Sequence, residues 1–395
     1  MKTSRILSYL LILTAVVSSP IRADELEDLE KAELAKQEAF RSGFAELVED
    51  MNYGSFSRFI ESIDQKDFID RVYGLRLIDQ KIKKQFNEKL EFTYQDLIMS
   101  GFAIPEEGLK ATLLGIESRG DHGRAVVRFD YPDFEFSYHE YDLRLDEDER
   151  VIVVDWIDFG SGMRFSESIG RPLVMVAPSK PAMRKLLDFQ NVSERDLFQF
   201  GELLKAARDR QLDRYMEIRE GLSPQLQRQR IVVESSVQVA RQVRKRRQMI
   251  AGLQDMAEHF PDEPLYTLML LDYYFPSRKY EEAMQSLQLL ADRLDVGDAA
   301  MEARFSAAAL VMGNPQAALA YADMAVGREP GLELGWWSAL NARAALADFS
   351  GSVEALQKLE GDFGYELGPD ALKRNPSYAQ LLESAEYRSW RESIK

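Results

Sequence analysis

Small residues recur in the carboxyl-terminal part of this sequence at a spacing of 34 to 35 positions. Ala283, Ala318 and Ser352 are the repeating positions. The middle one lies between a Gly-Asn-Pro turn at 313–315 and Pro330, where a helix must stop. A period of this length is typical of helical hairpins, in which a small residue lets two helix axes approach closely. Because one hairpin cannot bury its apolar face alone, the period predicts a stack of hairpins.

Three consecutive units fit this period over residues 264–366. The first unit begins at Pro264, the second covers 299–332, and the third begins at Glu333 and carries Trp336 on its first helix. These residues resemble the tetratricopeptide repeat (TPR), a family of stacked helical hairpins. Three residues depart from the family pattern: Ser306 and Leu340 stand where a glycine is usual, and Ser352 stands in place of alanine.

Weaker hairpins precede these units, and a cap follows them. Residues 193–263 alternate helical segments with short breaks, and Ser193 with Asp196 has the pattern of a helix N-cap. Residues 367–395 have the amphipathic pattern of the capping helix that such arrays need. We therefore expect an all-α array from residue 193 to the end of the sequence.

The TPR resemblance implies a binding groove, because the first helices of such units line the surface that holds a peptide or a partner helix. Mapping the groove positions of the family onto this sequence gives six residues: Leu268, Asp272, Ala303, Ala307, Trp337 and Asn341. Asp272 and Asn341 would bond a partner backbone, and Trp337 would supply an apolar anchor. Two structural alternatives stay open, in which Trp337 is buried against the cap and Asp272 is a solvated carboxylate.

The amino-terminal part, residues 24–171, changes its apolar period from 3.6 to 2 after Gly101. Helical segments come first, the last of them over 77–86, and strand-like runs follow at 109–117, 124–131, 134–145 and 151–159. This order predicts an α+β domain with an antiparallel sheet over helices. On element order it resembles the NTF2-like (nuclear transport factor 2-like) fold, with cystatin-like relatives as the alternative. Prolines predict a linker at 172–192.

Polar and aromatic side chains cluster on the predicted strands. The cluster consists of Arg128, Tyr138, His139, Tyr141, Asp155, Trp156 and Asp158. The NTF2-like resemblance implies an alternative function as an enzyme or small-ligand binder, since enzymes of that fold pair an Asp base with a Tyr donor. The sequence has no cysteine, and its three histidines lie far apart. We therefore predict no catalytic residue, no metal site and no cofactor.

The first 23 residues have the form of a cleavable export signal. Lys2 and Arg5 precede an apolar run of about 12 residues, and the segment ends in Ile-Arg-Ala at 21–23. The run is shorter than the roughly 20 residues that span a bilayer, although retention as an anchor stays an alternative. This pattern predicts a periplasmic or secreted protein.

The net charge of the sequence narrows the class of molecule that the protein can bind. The net charge is −16, and removal of the signal takes it to about −19, so nucleic acid is a poor partner. A basic segment at 228–247 stands out against this acidic background. It would dock anionic lipid headgroups or an acidic partner. Two structural alternatives stay open, in which the segment caps a helix carboxyl terminus or pairs with the acidic helix at 24–38. The acidic background favours a basic or apolar peptide in the groove.

Together these patterns predict an exported, non-catalytic scaffold that binds a protein or peptide of the cell envelope through its groove. Self-association through the amino-terminal sheet would make it a homo-oligomer. Membrane contact is expected only through the basic segment at 228–247.

Overall fold

The computed structural model describes residues 23–75, 78–102, 104, 108–176 and 193–394. The export signal predicted at 1–23 lies outside the described residues except for Ala23, as do residues 177–192 of the predicted linker. None of the helices in the described part of the chain is long and apolar enough to span a membrane.

Four helices open the described chain. They are α1 (Ala23–Asn52), α2 (Ser57–Glu61), α3 (Gln65–Val72) and α4 (Gln80–Met99). Asp64 and Asp79 cap α3 and α4 by accepting backbone N–H bonds, as short acidic side chains do at helix starts. The apolar pattern predicted that the last of these helices ends at residue 86, which was too early. The helix continues because Leu90 and Ile98 keep its apolar face buried until Gly101.

The predicted antiparallel sheet is confirmed. Its strands are β1 (Lys110–Arg119), β2 (His122–Asp130), β3 (Phe136–Leu145), β4 (Val151–Asp158) and β5 (Met163–Arg164). They pair in sequence order, each antiparallel to the next. One face of the sheet packs on the opening helices through a core rich in aromatic residues, which includes Phe44, Phe59, Tyr141 and Trp156.

A helix takes the place where we predicted the start of a linker. Helix α5 (Phe165–Val176) contains Pro172 in its interior, although a proline inside a helix costs about 3 kcal/mol. Packing offsets that cost, because Phe165 stacks on Trp156 with ring centroids 4.2 Å apart and Leu173 lies against the same core. The amino-terminal α+β part therefore extends to Val176.

The rest of the described chain is helical, as predicted. Two hairpins come first, formed by α6 (Glu194–Arg208) with α7 (Leu212–Glu220), and after the short α8 (Pro224–Gln227) by α9 (Arg230–Gln242) with α10 (Arg246–His259). Ser193 and Asp196 form the capping box that the sequence predicts at the start of α6.

Three further hairpins occupy the segment in which the 34-residue period was found. Their helices are α11 (Thr267–Tyr274) and α12 (Tyr280–Leu294), α13 (Ala299–Val311) and α14 (Pro315–Arg328), then α15 (Glu333–Ala345) and α16 (Phe349–Gly361). Ala283, Ala318 and Ser352 lie on the second helix of each hairpin and are fully buried. The departure at Ser306 has a structural reason, since its hydroxyl donates to the carbonyl of Ala318 at 2.8 Å.

The chain ends in short helices that close the stack. They are α17 (Pro369–Leu372), α18 (Ala379–Glu383) and α19 (Ala385–Ser393). Leu381, Tyr387 and Trp390 pack into one core with Trp336 and Leu356 of the last hairpin. The single capping helix predicted over 367–395 is therefore divided into three.

Candidate functional site

The sheet and the helical array share a core. Phe136, Tyr138 and Ile157, on the sheet face that points away from the opening helices, belong to one buried cluster with Ala300 and Met301 of α13. The sheet and the turn after β4 thus lie against the amino-terminal ends of α11 and α13, since Gly162 adjoins Tyr266 and Met269 and Arg128 binds Asp298. We call the surface formed by α11, α13 and α15 the first-helix face.

A buried charge network holds the two parts together. Arg128 on β2 is fully buried and donates to Asp298, which caps α13, and also to Glu329 at 3.0 Å. The Tyr138 hydroxyl donates to the other Asp298 oxygen at 2.6 Å. Desolvation alone would lower the pKa of Arg128, but Glu329, Asp130 and Asp298 outweigh it and the pKa is raised. The guanidinium is therefore charged and paired.

A second network lies beside the first. The Glu140 carboxylate is buried and accepts bonds from Arg124 at 2.7 Å and Arg293 at 2.5 Å. Arg124 also donates to the carbonyls of Arg293 and Leu294, the last residues of α12. A cation at a helix carboxyl terminus is favourable, so this network adds to the attachment of the sheet.

Two of the six predicted groove residues are buried or partly buried in the shared core. Ala303 is 1% exposed and has almost no surface left for a partner. Leu268 is partly buried against the same core. Asp272 and Ala307, one turn further along α11 and α13, are exposed.

The remaining two predicted residues contact other parts of the chain. Trp337 is half-buried, its indole N–H donates to Glu333 at 3.1 Å, and its ring meets Tyr365 edge-on at 5.2 Å. The side-chain oxygen of Asn341 accepts a bond from the Tyr378 hydroxyl. Asn341 therefore binds the cap with the atom that we expected to bind a partner.

The open part of the first-helix face includes residues that our sequence analysis missed. Val311 is 51% exposed and lies four positions after Ala307 on α13, a spacing that could have identified it. Phe134, before β3, is 38% exposed, and Arg304 donates to its carbonyl at 2.7 Å. We call Phe134, Asp272, Arg304, Ala307 and Val311 the open strip.

Asp272 is the electrostatic centre of this strip. Its carboxyl group keeps solvent-accessible surface, yet nearby protein atoms desolvate it enough to raise its pKa, as in a recess. Glu135 adds to this increase, while Arg241, Arg304 and Arg246 oppose it. No carboxylate-to-cation pair within 4 Å involves Asp272 in the described chain, so its oxygens can accept bonds from a partner.

The cluster that suggested catalysis is divided between the two sheet faces. Arg128 and Tyr138 point into the array interface, whereas His139, Tyr141 and Trp156 lie among the aromatic residues on the other side. Asp155 is buried and accepts bonds from the hydroxyl of Ser166 at 2.7 Å and from two backbone N–H groups. Tyr138 and Asp298 do form a Tyr/Asp pair, but Arg128 encloses it. This arrangement leaves the pair no contact with solvent.

His139 makes stability depend on pH. Burial lowers its pKa from 6.5 to about 4, with Asp158 opposing the decrease. Because the unfolded chain binds this proton first, stability falls as pH drops from 6.5 toward 4. We expect a loss of about 2 kcal/mol in unfolding free energy between pH 7 and pH 5 from this group. Urea denaturation should show this loss, and His139→Gln should remove it; an unchanged pH profile in that variant would contradict the assignment.

A cleft of about 390 Å³ lies between α5 and α9. Glu234 lines it, but Arg171, Arg230 and Tyr266 already bond its carboxylate. The cleft thus offers polar walls without an unsatisfied charge at Glu234.

Neither a possible metal site nor a similarity to known proteins adds to this description of the site. Among the residues that the structure describes, no group of three or more His, Asp or Glu side chains is arranged to hold a metal ion. A scan against protein-family models found no match. A search of curated proteins found no matching protein either.

Proposed function

We propose that this chain is a non-catalytic, exported scaffold whose TPR-like array binds an extended segment of a partner protein along the open strip. In this proposal the NTF2-like part is a wall of the binding site. The carrying observation is that the first helices of the array expose Asp272, Ala307 and Val311 beyond the edge of the sheet. Export is proposed from the signal pattern at 1–23, and cell fractionation tests it.

Chemistry along the open strip supports a peptide ligand. Asp272 offers acceptor oxygens for the N–H groups of an extended backbone, and Val311 and the Phe134 ring offer apolar surface. Phe134 has φ of 61°, a strained conformation for an aromatic residue, and Arg304 holds its carbonyl. The fold thus keeps an exposed aromatic ring beside the strip at some cost in energy.

The attachment of the sheet determines the limits of the site. Arg128 and Glu140 connect the sheet to the array through buried ion pairs, and these contacts hold the wall of the site in place. Both faces of the sheet are covered within the chain, so a homo-oligomer formed through the sheet would have to pair its edge. A sizing measurement on the full chain tests that option. The alternative of a small-ligand binder can draw on the cleft beside α5.

Ala307→Trp tests the site, because it places a bulky uncharged side chain in the open strip without entering the core. We expect partner capture from envelope extract to fall at least about tenfold. Met324→Trp is the matched control, since Met324 is 50% exposed on α14, a second helix. Both variants should keep the unfolding free energy within about 0.5 kcal/mol.

A photo-cross-linking residue at position 311 adds a direct readout. It should form a covalent adduct with the same partner, whereas the cross-linker at position 324 should not. Equal capture by both tryptophan variants, together with equal adducts at both positions, would refute the binding site.

A further inference from the structure

We infer that the bound partner segment is acidic and that it extends from the open strip onto a basic surface at the turn between α9 and α10. This inference rests on the proposed function and names the chemistry of its ligand. The basic surface consists of Arg241, Arg244, Lys245, Arg246, Arg247 and Arg304.

Most of these cations lack a carboxylate partner. Arg244, Lys245, Arg246 and Arg247 are exposed, and in the described chain no carboxylate lies within ion-pair distance of any of them. Other arginines of the neighbouring helices are paired: Arg219 with Asp255 at 2.6 Å, and Arg230 with Glu263 at 3.1 Å. In a chain with 66 acidic residues, this local lack of carboxylates leaves the cations available to a ligand.

The position of these cations at a helix start makes the lack of carboxylate partners unfavourable. Lys245 is the N-cap residue of α10, and Arg246 and Arg247 are in its first turn, which contains no acidic side chain. Positive charge is unfavourable at a helix amino terminus, and four adjacent cations repel one another. The turn also holds Arg244 at φ of 55°. An anionic ligand would relieve both sources of repulsion.

The alternatives considered from sequence do not account for these cations. In the described part of the acidic amino-terminal helix, Glu33 accepts from the Gly120 backbone N–H. Lys36 of the same helix pairs with Asp121, so both contacts hold this helix against the turn between β1 and β2. Only Arg241 of the basic surface lies at a helix carboxyl terminus, in the last turn of α9.

The basic surface is continuous with the open strip. Arg304 belongs to both, and its guanidinium donates to the Phe134 carbonyl at 2.7 Å, while Arg241 donates to the Gly160 carbonyl at 3.1 Å. Both arginines, together with Arg246, oppose the increase in the pKa of Asp272. Three of the six cations therefore act on the strip, against the two carboxylates of Asp272 and Glu135. This local balance favours an acidic segment, in place of the basic or apolar peptide that the overall charge predicted.

A flat anionic membrane fits this surface less well than a peptide. Arg241 and Arg304 are partly buried, and each donates to a backbone carbonyl, of Gly160 at 3.1 Å and of Phe134 at 2.7 Å. The exposed large apolar residues of the described chain lie elsewhere than on α9 and α10, so nothing there would insert between lipids. An extended peptide can follow the recess and place its carboxylates on the rim.

The test measures binding of a fluorescein-labelled peptide of repeating Glu-Glu-Leu to the full chain by fluorescence anisotropy. The Gln-Gln-Leu peptide and phosphatidylglycerol vesicles are the comparison probes. We expect saturable binding of the acidic peptide that weakens as salt rises, and at least about tenfold weaker binding of the glutamine peptide.

Arg246→Glu combined with Arg247→Glu should weaken the acidic peptide at least about tenfold, because both side chains are exposed and unpaired. Arg195→Glu combined with Arg374→Glu is the matched control, since it changes the net charge equally at exposed positions elsewhere. The control should stay within about twofold of the wild type.

Three results would overturn the inference: no saturable binding of the acidic peptide, equal weakening by both double variants, or binding of the vesicles but not the peptide. The cross-linker at position 311 separates this failure from failure of the proposed function. A partner adduct at position 311 that survives Arg246→Glu with Arg247→Glu would keep the binding site and reject the acidic ligand.

Discussion

Replacing Asp298 with alanine is expected to lower the free energy of unfolding by about 3 to 5 kcal/mol. The substitution removes a carboxylate from a fully buried guanidinium, Arg128, and leaves the buried Tyr138 hydroxyl without its acceptor. It also removes the N-cap of α13, where Asp298 accepts the Met301 backbone N–H at 3.0 Å. Urea denaturation measures the loss.

Two further variants separate these contributions. Asp298→Asn keeps the cap and an acceptor for Tyr138, so its loss should be smaller than that of alanine. Combining Asp298→Ala with Arg128→Met removes both charges, and this double variant should lose less than the sum of the two single variants. Additive losses would show that the two side chains do not act as a pair.

Sequence predicted each half of this interface but not their contact. The strand around Arg128 follows from its period of two, and the start of the second unit at residue 299 follows from the 34-residue period. The two residues are 170 positions apart. Local periodicity says which face of an element is apolar, whereas the partner of that face depends on how the domains pack.

The same limit explains the mixed result for the candidate groove. The repeat register predicted correctly that Ala303 and Ala307 share one face of α13, since they are one turn apart. It could not predict that packing in the shared core buries Ala303 and leaves Ala307 exposed. Asn341, at the other end of the first-helix face, was equally unpredictable. Its side-chain oxygen accepts a bond from the Tyr378 hydroxyl of the cap instead of from a partner.

Coverage by the sheet also changes what the array can bind. A complete first-helix face would be long and open at both ends, whereas here Phe134 and Glu135 stand at the covered end and Arg246 acts on Asp272 from a neighbouring hairpin. Specificity thus arises from charges contributed by separate parts of the chain, which no single repeat contains. We therefore expect affinity to depend on the basic surface and register to depend on Asp272.

Replacing Trp156 with alanine is expected to lower the free energy of unfolding by about 3 to 5 kcal/mol. Trp156 is fully buried and stacks on Phe165 at 4.2 Å, with Phe59 and Tyr141 at 5.8 Å. Gly101 closes the same core, because a Cβ there would lie 2.8 Å from atoms of both Trp156 and Phe165. Neighbours packed this closely cannot collapse into the space that a tryptophan leaves.

Trp156→Phe should lose less, because it keeps most of the ring contacts and removes an indole N–H that has no acceptor among the described residues. The alanine variant also tests the ligand-binding alternative for this domain. If the aromatic face is a filled core, added indole should bind the new cavity and raise the melting temperature of Trp156→Ala but not of the wild type. A rise in the wild type as well would mean that the sheet already encloses a ligand cavity, and the small-ligand function would then replace the scaffold as the leading interpretation of this half of the chain.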